Sequence, residues 1–273
     1  MPRFSANLSL LFTELPLLER FSAAREYGFL AVEIQFPYET PAEHIKTQID
    51  LTGLELVLIN VPAGDLMNGG EGLAAVPSKR QEFIDAVNKA AEYADILRPK
   101  FINVLPGCCF ETDCLDQYME TFTSNLGHAA DVFLNKGIKV VFEAVNTKDR
   151  PGFLIHNSKQ LVQVLEELKH SNVYLQYDIY HMHTMGEDYL AFFSRYVEKV
   201  GHIQFADSPG RHQPGTGQID FDKLFSAIDA CGYNGWLGAE YRPSGPTRES
   251  LEWFDPVSYT HLRAHETEAE IVC

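Results

Sequence analysis

Basic residues are scarce in this sequence: 22 lysines and arginines stand against 38 aspartates and glutamates, and the formal net charge is −16. Such a chain has no basic stripe with which to displace counterions from a phosphate backbone. We therefore expect neither a nucleic acid nor an anionic membrane surface as a partner. The sequence lacks any run of about 18 apolar residues, which excludes a membrane-spanning helix. Its first residues also lack the charged and apolar regions of a signal peptide.

Cysteine is infrequent as well. The odd number of cysteines and the absence of a disulfide-framework spacing predict reduced thiols in a cytoplasmic protein. The cluster at 108–114 could suggest a soft-metal site, but no further Cys or His pair at zinc-finger spacing follows it. We favour ordinary loop and helix-start positions for that cluster. The five cysteines are Cys108, Cys109, Cys114, Cys231 and Cys273.

The sequence contains short β-rich runs that alternate with longer helical patterns. Most of these runs are continuously apolar, which is typical of parallel strands that are covered on both faces. The predicted strands are Phe4–Asn7, Ala31–Gln35, Leu54–Asn60, Phe101–Leu105, Lys139–Glu143, Val173–Asp178, Val200–Gln204 and Gly235–Glu240. The predicted helices include Leu15–Tyr27, Lys79–Ala94, Tyr118–Lys136, Ser158–Lys169, Leu190–Lys199 and Phe221–Cys231. Gly28, Gly137 and Gly232 follow three of them, where a left-handed residue ends a helix.

Strand–helix alternation repeated about eight times predicts an α/β fold of the (β/α)8 TIM barrel type, as a single domain over residues 1–255. The alternative is an open, doubly wound sheet. That fold usually needs a glycine-rich turn after its first strand, and residues 7–14 contain no glycine. The glycine-rich segment Asp65–Ala75 could suggest a phosphate cradle, but it lacks the terminal Lys-Ser or Lys-Thr, so we favour a flexible barrel loop.

Acidic or amide residues end four successive predicted strands: Glu143, Asp178, Gln204 and Glu240. Their separations of 35, 26 and 36 residues each match one strand–helix unit, which is roughly 31 residues in a barrel of this size. All four side chains should therefore meet at the end of the barrel where active sites lie. Three converging carboxylates need a cation, and four oxygen donors favour one hard divalent ion, Mg2+ or Mn2+.

Three further residues near these strand ends are candidates for substrate binding. Arg211 can hold a carboxylate through two parallel hydrogen bonds, and His181 can contact a substrate oxygen. His202 lies two positions before Gln204, on the same face of a strand, and is either a substrate contact or a satisfied interior histidine. With the ion polarising a carbonyl, Glu143 and Glu240 could act as catalytic acid and base, moving a proton between adjacent carbons through an enediolate.

Several motifs at these positions resemble the hydroxypyruvate isomerase family of the xylose-isomerase-like barrel superfamily. They are Phe-Glu-Ala-Val-Asn (142–146), Leu-Gln-Tyr-Asp-Ile-Tyr-His-Met (175–182), Gly-His-Ile-Gln (201–204), Pro-Gly-Arg-His-Gln-Pro-Gly-Thr-Gly (209–217) and Gly-Ala-Glu-Tyr (238–241). The resemblance covers about residues 4–254. It implies that Glu143, Asp178, Gln204 and Glu240 hold the metal and that the reaction converts hydroxypyruvate into tartronate semialdehyde (2-hydroxy-3-oxopropanoate).

The resemblance leaves the length of the small carboxylate substrate open, because relatives act on longer 2-oxo acids such as 2-oxo-tetronates. A sugar epimerase of the same superfamily, an abasic-site endonuclease and a barrel inactivated by damage at its end are further alternatives. The endonuclease would need more histidine ligands and a basic surface. A homo-oligomer is compatible with the sequence. Residues 256–273 do not resemble the last helix of the family, and we interpret them as translated sequencing-adapter sequence, which resequencing the locus would test.

Overall fold

A computed structural model describes residues 2–254, and it contains all eight predicted strands. Nine of the sixteen strand ends coincide with the predicted ones, and the other seven differ by one or two residues. The strands are β1 (Arg3–Asn7), β2 (Ala31–Ile34), β3 (Glu55–Asn60), β4 (Phe101–Asn103), β5 (Lys139–Glu143), β6 (Val173–Asp178), β7 (Val200–Phe205) and β8 (Trp236–Ala239). The segment 256–273, which we interpret as foreign to the family, lies outside the described residues.

The strands form one closed, parallel barrel in sequence order, so the predicted fold class is confirmed. Closure occurs between the first and last strands, where Ser5 is the register partner of Gly238. Parallel pairing throughout places the carboxyl ends of all eight strands at one end of the barrel. Glu143 and Asp178, which end β5 and β6, and Gln204 near the end of β7 therefore lie at the same end of the barrel as Glu240, which follows β8.

Eight α-helices surround this barrel in the described part of the chain. They are α1 (Leu17–Glu26), α2 (Ala42–Thr52), α3 (Arg80–Leu97), α4 (Leu115–Leu134), α5 (Ser158–Leu168), α6 (Ile179–Thr184), α7 (Tyr189–Tyr196) and α8 (Phe221–Ala230). The six predicted helices are confirmed, whereas α2 and α6 are not among them. The last described residues, 247–254, include the 3-10 helix Thr247–Leu251. No helix among residues 2–254 has the length and apolar character needed to cross a membrane.

The helix ends follow the sequence signals. Gly28, Gly137 and Gly232 have φ values of 92°, 69° and 77°, the left-handed region that glycine enters without steric cost. Asn157 begins α5, because its side chain accepts a hydrogen bond from the Gln160 backbone nitrogen at 2.9 Å. These capping residues determine where α1, α4 and α8 end and where α5 begins.

An aromatic cluster holds the closing strands together on the outside of the barrel. The Phe4 ring in β1 lies edge-on to Phe205, Phe225 and Trp253, with centroid separations of 5.7, 5.0 and 5.2 Å. Edge-to-face pairs of this kind contribute about 0.5–1.5 kcal/mol each beyond the burial of their area. The cluster therefore brings residues more than 200 positions apart in sequence into contact beside the pair formed by β1 and β8.

Candidate active site

A cleft of about 750 Å3 opens at the carboxyl end of the barrel. Its lining includes Glu143, His181, Arg211 and Glu240, four of the residues singled out from the sequence. Basic and apolar side chains from the loops complete the lining, among them Lys148, Arg150, Arg242, Leu66 and Phe153. The cleft lies where barrel enzymes carry their active sites.

The acidic residues of this site are almost completely buried. Glu143 and Asp178 end β5 and β6, and Glu240 follows β8 directly. One oxygen of Glu143, one oxygen of Asp178 and one ring nitrogen of His181 all lie within 4.8 Å of one another. The site thus collects three carboxyl groups that are largely withdrawn from water, which is unfavourable unless a cation or protons balance them.

The pKa values of both glutamates reflect this crowding. Burial raises the pKa of Glu143 well above its ordinary value, and the charges of Glu240 and Asp178 raise it further. Burial also raises the pKa of Glu240 to about 7, an effect that Arg211 opposes and Asp178 reinforces. A carboxyl group with a pKa near neutrality can both accept and return a proton, as an acid–base catalyst must.

Arg211 supplies the positive charge nearest to these acids. Its Nη2 donates a hydrogen bond to Glu240 Oε2 and lies 3.7 Å from Asp178 Oδ2. Burial alone would lower the pKa of Arg211, but Glu240, Asp178 and Glu143 outweigh it and raise that pKa. The guanidinium is therefore a fixed cation between the acids and the open cleft, where it can meet the carboxylate of a substrate.

The loop that carries Arg211 is organised by Asp207, a completely buried residue that the sequence analysis did not single out. Arg211 itself has a φ of 58°, a left-handed conformation that a long side chain adopts only when its surroundings hold it. The Asp207 carboxylate supplies that hold by accepting four backbone hydrogen bonds at 2.7–3.1 Å, from the amides of Ser208, Gly215, Gly217 and Ile219.

Asp207→Ala is expected to disorder the Arg211 loop and to lower kcat/KM by about 10²-fold, because a misplacement of about 1 Å in a substrate-positioning group has that effect. Steady-state kinetics would measure the loss, with Asp222→Ala at an exposed position of α8 as the matched control. A value of kcat/KM within threefold of the parent protein would contradict the role assigned to Asp207.

A polar layer lies beneath the acids, and Glu33 of β2 is its centre. The Glu33 carboxyl group is completely buried. It accepts hydrogen bonds from Asn7 Nδ2 at 2.9 Å and from Gln204 Nε2 at 2.7 Å, and it lies 2.6 Å from His202 Nε2. Gly238 of β8 leaves the room for it, because a Cβ there would lie 2.4 Å from Glu33 Oε2.

The structure thus places most, but not all, of the predicted site residues together. Gln204 contacts the acids, since its Nε2 lies 3.2 Å from Glu240 Oε1. His202, in contrast, does not line the cleft; it is completely buried, faces Glu33 and stacks on Phe101 at a centroid distance of 6.2 Å. Of the two roles that the sequence leaves open for His202, the structure favours that of an interior histidine: its Nε2 faces Glu33, whereas its Nδ1 has no hydrogen-bond partner among residues 2–254.

The glycine-rich segment after β3 is a loop of the cleft. Its Leu66 and Met67 side chains line the cleft, and Asp65 Oδ1 accepts a hydrogen bond from the Gly72 amide at 2.9 Å. That amide therefore already has an anionic partner within the loop. The loop interpretation is favoured over a phosphate cradle.

Comparisons with known proteins agree with this geometry. The family model for xylose isomerase-like TIM barrels matches residues 21–257. Hydroxypyruvate isomerase of Escherichia coli (strain K12) is 40% identical over 94% of this chain and 99% of its own length. A 2-oxo-tetronate isomerase of Pectobacterium atrosepticum is 36% identical over 94% and 98%. The crystal structure of an AP endonuclease, family 2, from Brucella melitensis is similar with a TM-score of 0.90 and 38% identity, covering 94% and 99%.

Proposed function

Because this chain belongs to the xylose isomerase-like TIM barrel family, we propose that it is an isomerase that interconverts hydroxypyruvate and tartronate semialdehyde. The observation that carries the proposal is the pair of buried glutamates, Glu143 and Glu240, which line one cleft from different strands of the barrel. Similarity to hydroxypyruvate isomerase over nearly the whole chain supports the same reaction.

The donor chemistry of the site fits one hard divalent ion. Glu143, Asp178 and Glu240 offer carboxylate oxygens, and Arg211 pairs with the last two of them. The amide oxygen of Gln204 would complete the set by leaving its present partner, Gln176 Nε2, at 2.6 Å. We propose these four residues as ligands of Mg2+ or Mn2+. When bound, the ion supplies Lewis-acid polarisation of the substrate carbonyl and of the neighbouring hydroxyl.

The side chains of the protein carry the remaining chemistry. One of Glu143 and Glu240 removes a proton from the carbon next to the substrate carbonyl, and the C–H electron pair forms the carbon–carbon double bond of an enediolate. The other glutamate delivers a proton to the former carbonyl carbon, and the proton of the neighbouring hydroxyl passes to the former carbonyl oxygen, which completes the isomerisation. Arg211 holds the substrate carboxylate, and His181 contacts a substrate oxygen.

A longer 2-oxo acid is the second candidate substrate. The cleft of about 750 Å3 is larger than a three-carbon acid requires, and basic side chains such as Lys148 and Arg242 line it beyond the acids. The 36% identity to 2-oxo-tetronate isomerase supports this alternative. Because Arg211 favours an acid over a neutral sugar, we place a sugar epimerase activity below both.

We do not propose a nucleic-acid substrate, despite the similarity to an AP endonuclease structure. A net charge of −16 and a site lined by buried carboxyl groups oppose the approach of a phosphate backbone. Cys108, Cys109, Cys114 and Cys231 are free, which suits the cytoplasmic location that we propose. The partner is thus a small carboxylate, and a homo-oligomer stays a prediction.

Stripping the protein with EDTA is expected to lower hydroxypyruvate turnover at least about 10³-fold, because the ion supplies several kcal/mol of transition-state stabilisation. Adding Mg2+ or Mn2+ should restore turnover to tartronate semialdehyde. A folded, metal-loaded protein that converts 2-oxo-tetronate but not hydroxypyruvate would support the longer substrate. Full activity after EDTA treatment, with no metal detected by elemental analysis, would contradict the metal site.

A further inference from the structure

His181 occupies an ambiguous position beside the acids. One of its ring nitrogens lies within the Glu143–Asp178 group of candidate metal ligands, and its Nε2 lies 3.5 Å from Asp178 Oδ2. A neutral imidazole binds a metal through the nitrogen that carries no proton, and it donates a hydrogen bond through the other. The position of the ring proton therefore decides whether His181 can bind a metal at this point or donate to a substrate.

The other ring nitrogen, Nδ1, faces Asn146, which is completely buried in the loop after β5. The Asn146 side-chain Nδ2 lies 2.7 Å from His181 Nδ1, and the Asn146 backbone nitrogen lies 3.4 Å from the same atom. Both of these groups can only donate hydrogen bonds. A proton on His181 Nδ1 would point at two N–H donors, so Nδ1 must be the acceptor.

The orientation of the Asn146 amide is fixed independently of His181. Its Oδ1 accepts hydrogen bonds from the backbone nitrogens of Lys148 at 3.1 Å and Asp149 at 2.8 Å. Backbone N–H groups cannot accept, so the Asn146 oxygen must stay on their side and its NH2 group on the side of His181. Asp149 Oδ2 holds the NH2 group further, at 3.1 Å from Nδ2.

We infer that Asn146 is a positioning residue that holds His181 in the neutral tautomer with its proton on Nε2. In this tautomer His181 cannot bind a metal through Nε2, because that lone pair is replaced by an N–H bond. It can instead donate a hydrogen bond from Nε2 to the substrate carbonyl oxygen, on which negative charge develops as the enediolate forms. The catalytic part of the inference rests on the proposed isomerase function; the tautomer does not.

The tautomer can be measured directly by NMR on protein labelled with 15N in its histidine rings, with the His181 signals identified by their absence in His181→Gln. We expect the proton on Nε2 in the parent protein, with and without Mg2+. In Asn146→Asp the carboxylate would accept from Nδ1, so the proton should move to Nδ1 and kcat should fall about 10–100-fold with little change in KM, as is typical when an outer-shell partner of a functional histidine is lost.

Two controls separate this role from a merely structural one. Asp149→Asn changes the neighbour of Asn146 but leaves the amide oxygen bound to the backbone, so the ring proton should stay on Nε2. Asn88→Asp makes the same chemical change at an exposed position of α3 and should leave both the tautomer and kcat unaltered.

Two results would overturn the inference: a proton on Nδ1 of His181 in the parent protein, or a loss of Mn2+ affinity of more than about tenfold in His181→Gln. The two failures can be told apart. If the parent protein carries the proton on Nε2 but isomerises neither hydroxypyruvate nor 2-oxo-tetronate, the assigned tautomer is correct and the proposed function is wrong. Because the NMR measurement on the parent protein needs no variant at position 146, a variant that fails to fold does not prevent the test.

Discussion

Glu143→Gln and Glu240→Gln are each expected to lower kcat by about 10²–10⁴-fold, the range that a positioned acid or base contributes. Both substitutions keep the size of the side chain and one oxygen that can bind the ion, but they remove the negative charge and the ability to exchange a proton. Asn103 Nδ2 donates to Glu143 Oε1 at 2.7 Å, and a glutamine oxygen can accept the same hydrogen bond. Steady-state turnover of hydroxypyruvate would measure the loss.

The thermal midpoint in EDTA distinguishes lost chemistry from lost folding in these variants. Glu143→Gln removes one of three crowded carboxyl groups, so the metal-free variant should unfold at a temperature no lower than the parent protein. Glu166→Gln, at an exposed position of α5, is the matched control and should keep full activity. If a folded, metal-loaded Glu143→Gln or Glu240→Gln retained kcat within tenfold, the two-glutamate mechanism would be wrong.

Glu33→Ala is expected to reduce the free energy of unfolding by about 3–5 kcal/mol, the cost of removing one partner from a buried, hydrogen-bonded pair. The substitution would leave His202 Nε2 without its partner and remove an acceptor from Asn7 and Gln204. Urea unfolding monitored by circular dichroism would measure the change. Gln204 would also lose the contact that directs its amide, so metal affinity should fall as well.

Glu120→Ala at an exposed position of α4 is the control for this experiment, and its effect should stay within about 0.5 kcal/mol, as is usual for surface substitutions. The loss of unfolding free energy in Glu33→Gln should lie between those in Glu33→Ala and Glu120→Ala, because an amide can still accept one hydrogen bond. A loss of less than about 1 kcal/mol in Glu33→Ala would show that the polar layer is not a structural requirement of the barrel.

The barrel could be predicted from the sequence because its strands are apolar runs bounded by helix signals. The two helices outside the prediction, α2 and α6, escape it for different reasons. Only Ala42 and Ile45 of α2 are buried, so its apolar stripe is too short to recognise. The six-residue α6 follows β6 without a break, because Asp178 both ends the strand and caps the helix. The Asp178 side chain accepts hydrogen bonds from the backbone nitrogens of Tyr180 and His181.

The sequence predicts the site residues at or near strand ends, but it does not single out Glu33 inside β2 or the loop residues Asn146 and Asp207. Glu143, Asp178 and Glu240 stand at strand ends at a regular spacing, whereas Glu33 lies within an apolar strand between Val32 and Ile34. An acid in that position was a usable signal, because a completely buried carboxyl group needs partners. The sequence around Asn146 carries no comparable signal, because the role of Asn146 depends on the His181 ring, which is 35 positions away in sequence.

The pairing of β1 with β8 has a consequence for how the chain is made. Strand β1 is synthesised before the other strands, but one of its two pairing partners, β8 (Trp236–Ala239), is among the last described segments to be synthesised. Until then β1 and β7 each present a row of unpaired backbone groups, the kind of edge on which chains associate with one another. Nascent chains of this protein should therefore need protection by chaperones until synthesis has passed β8.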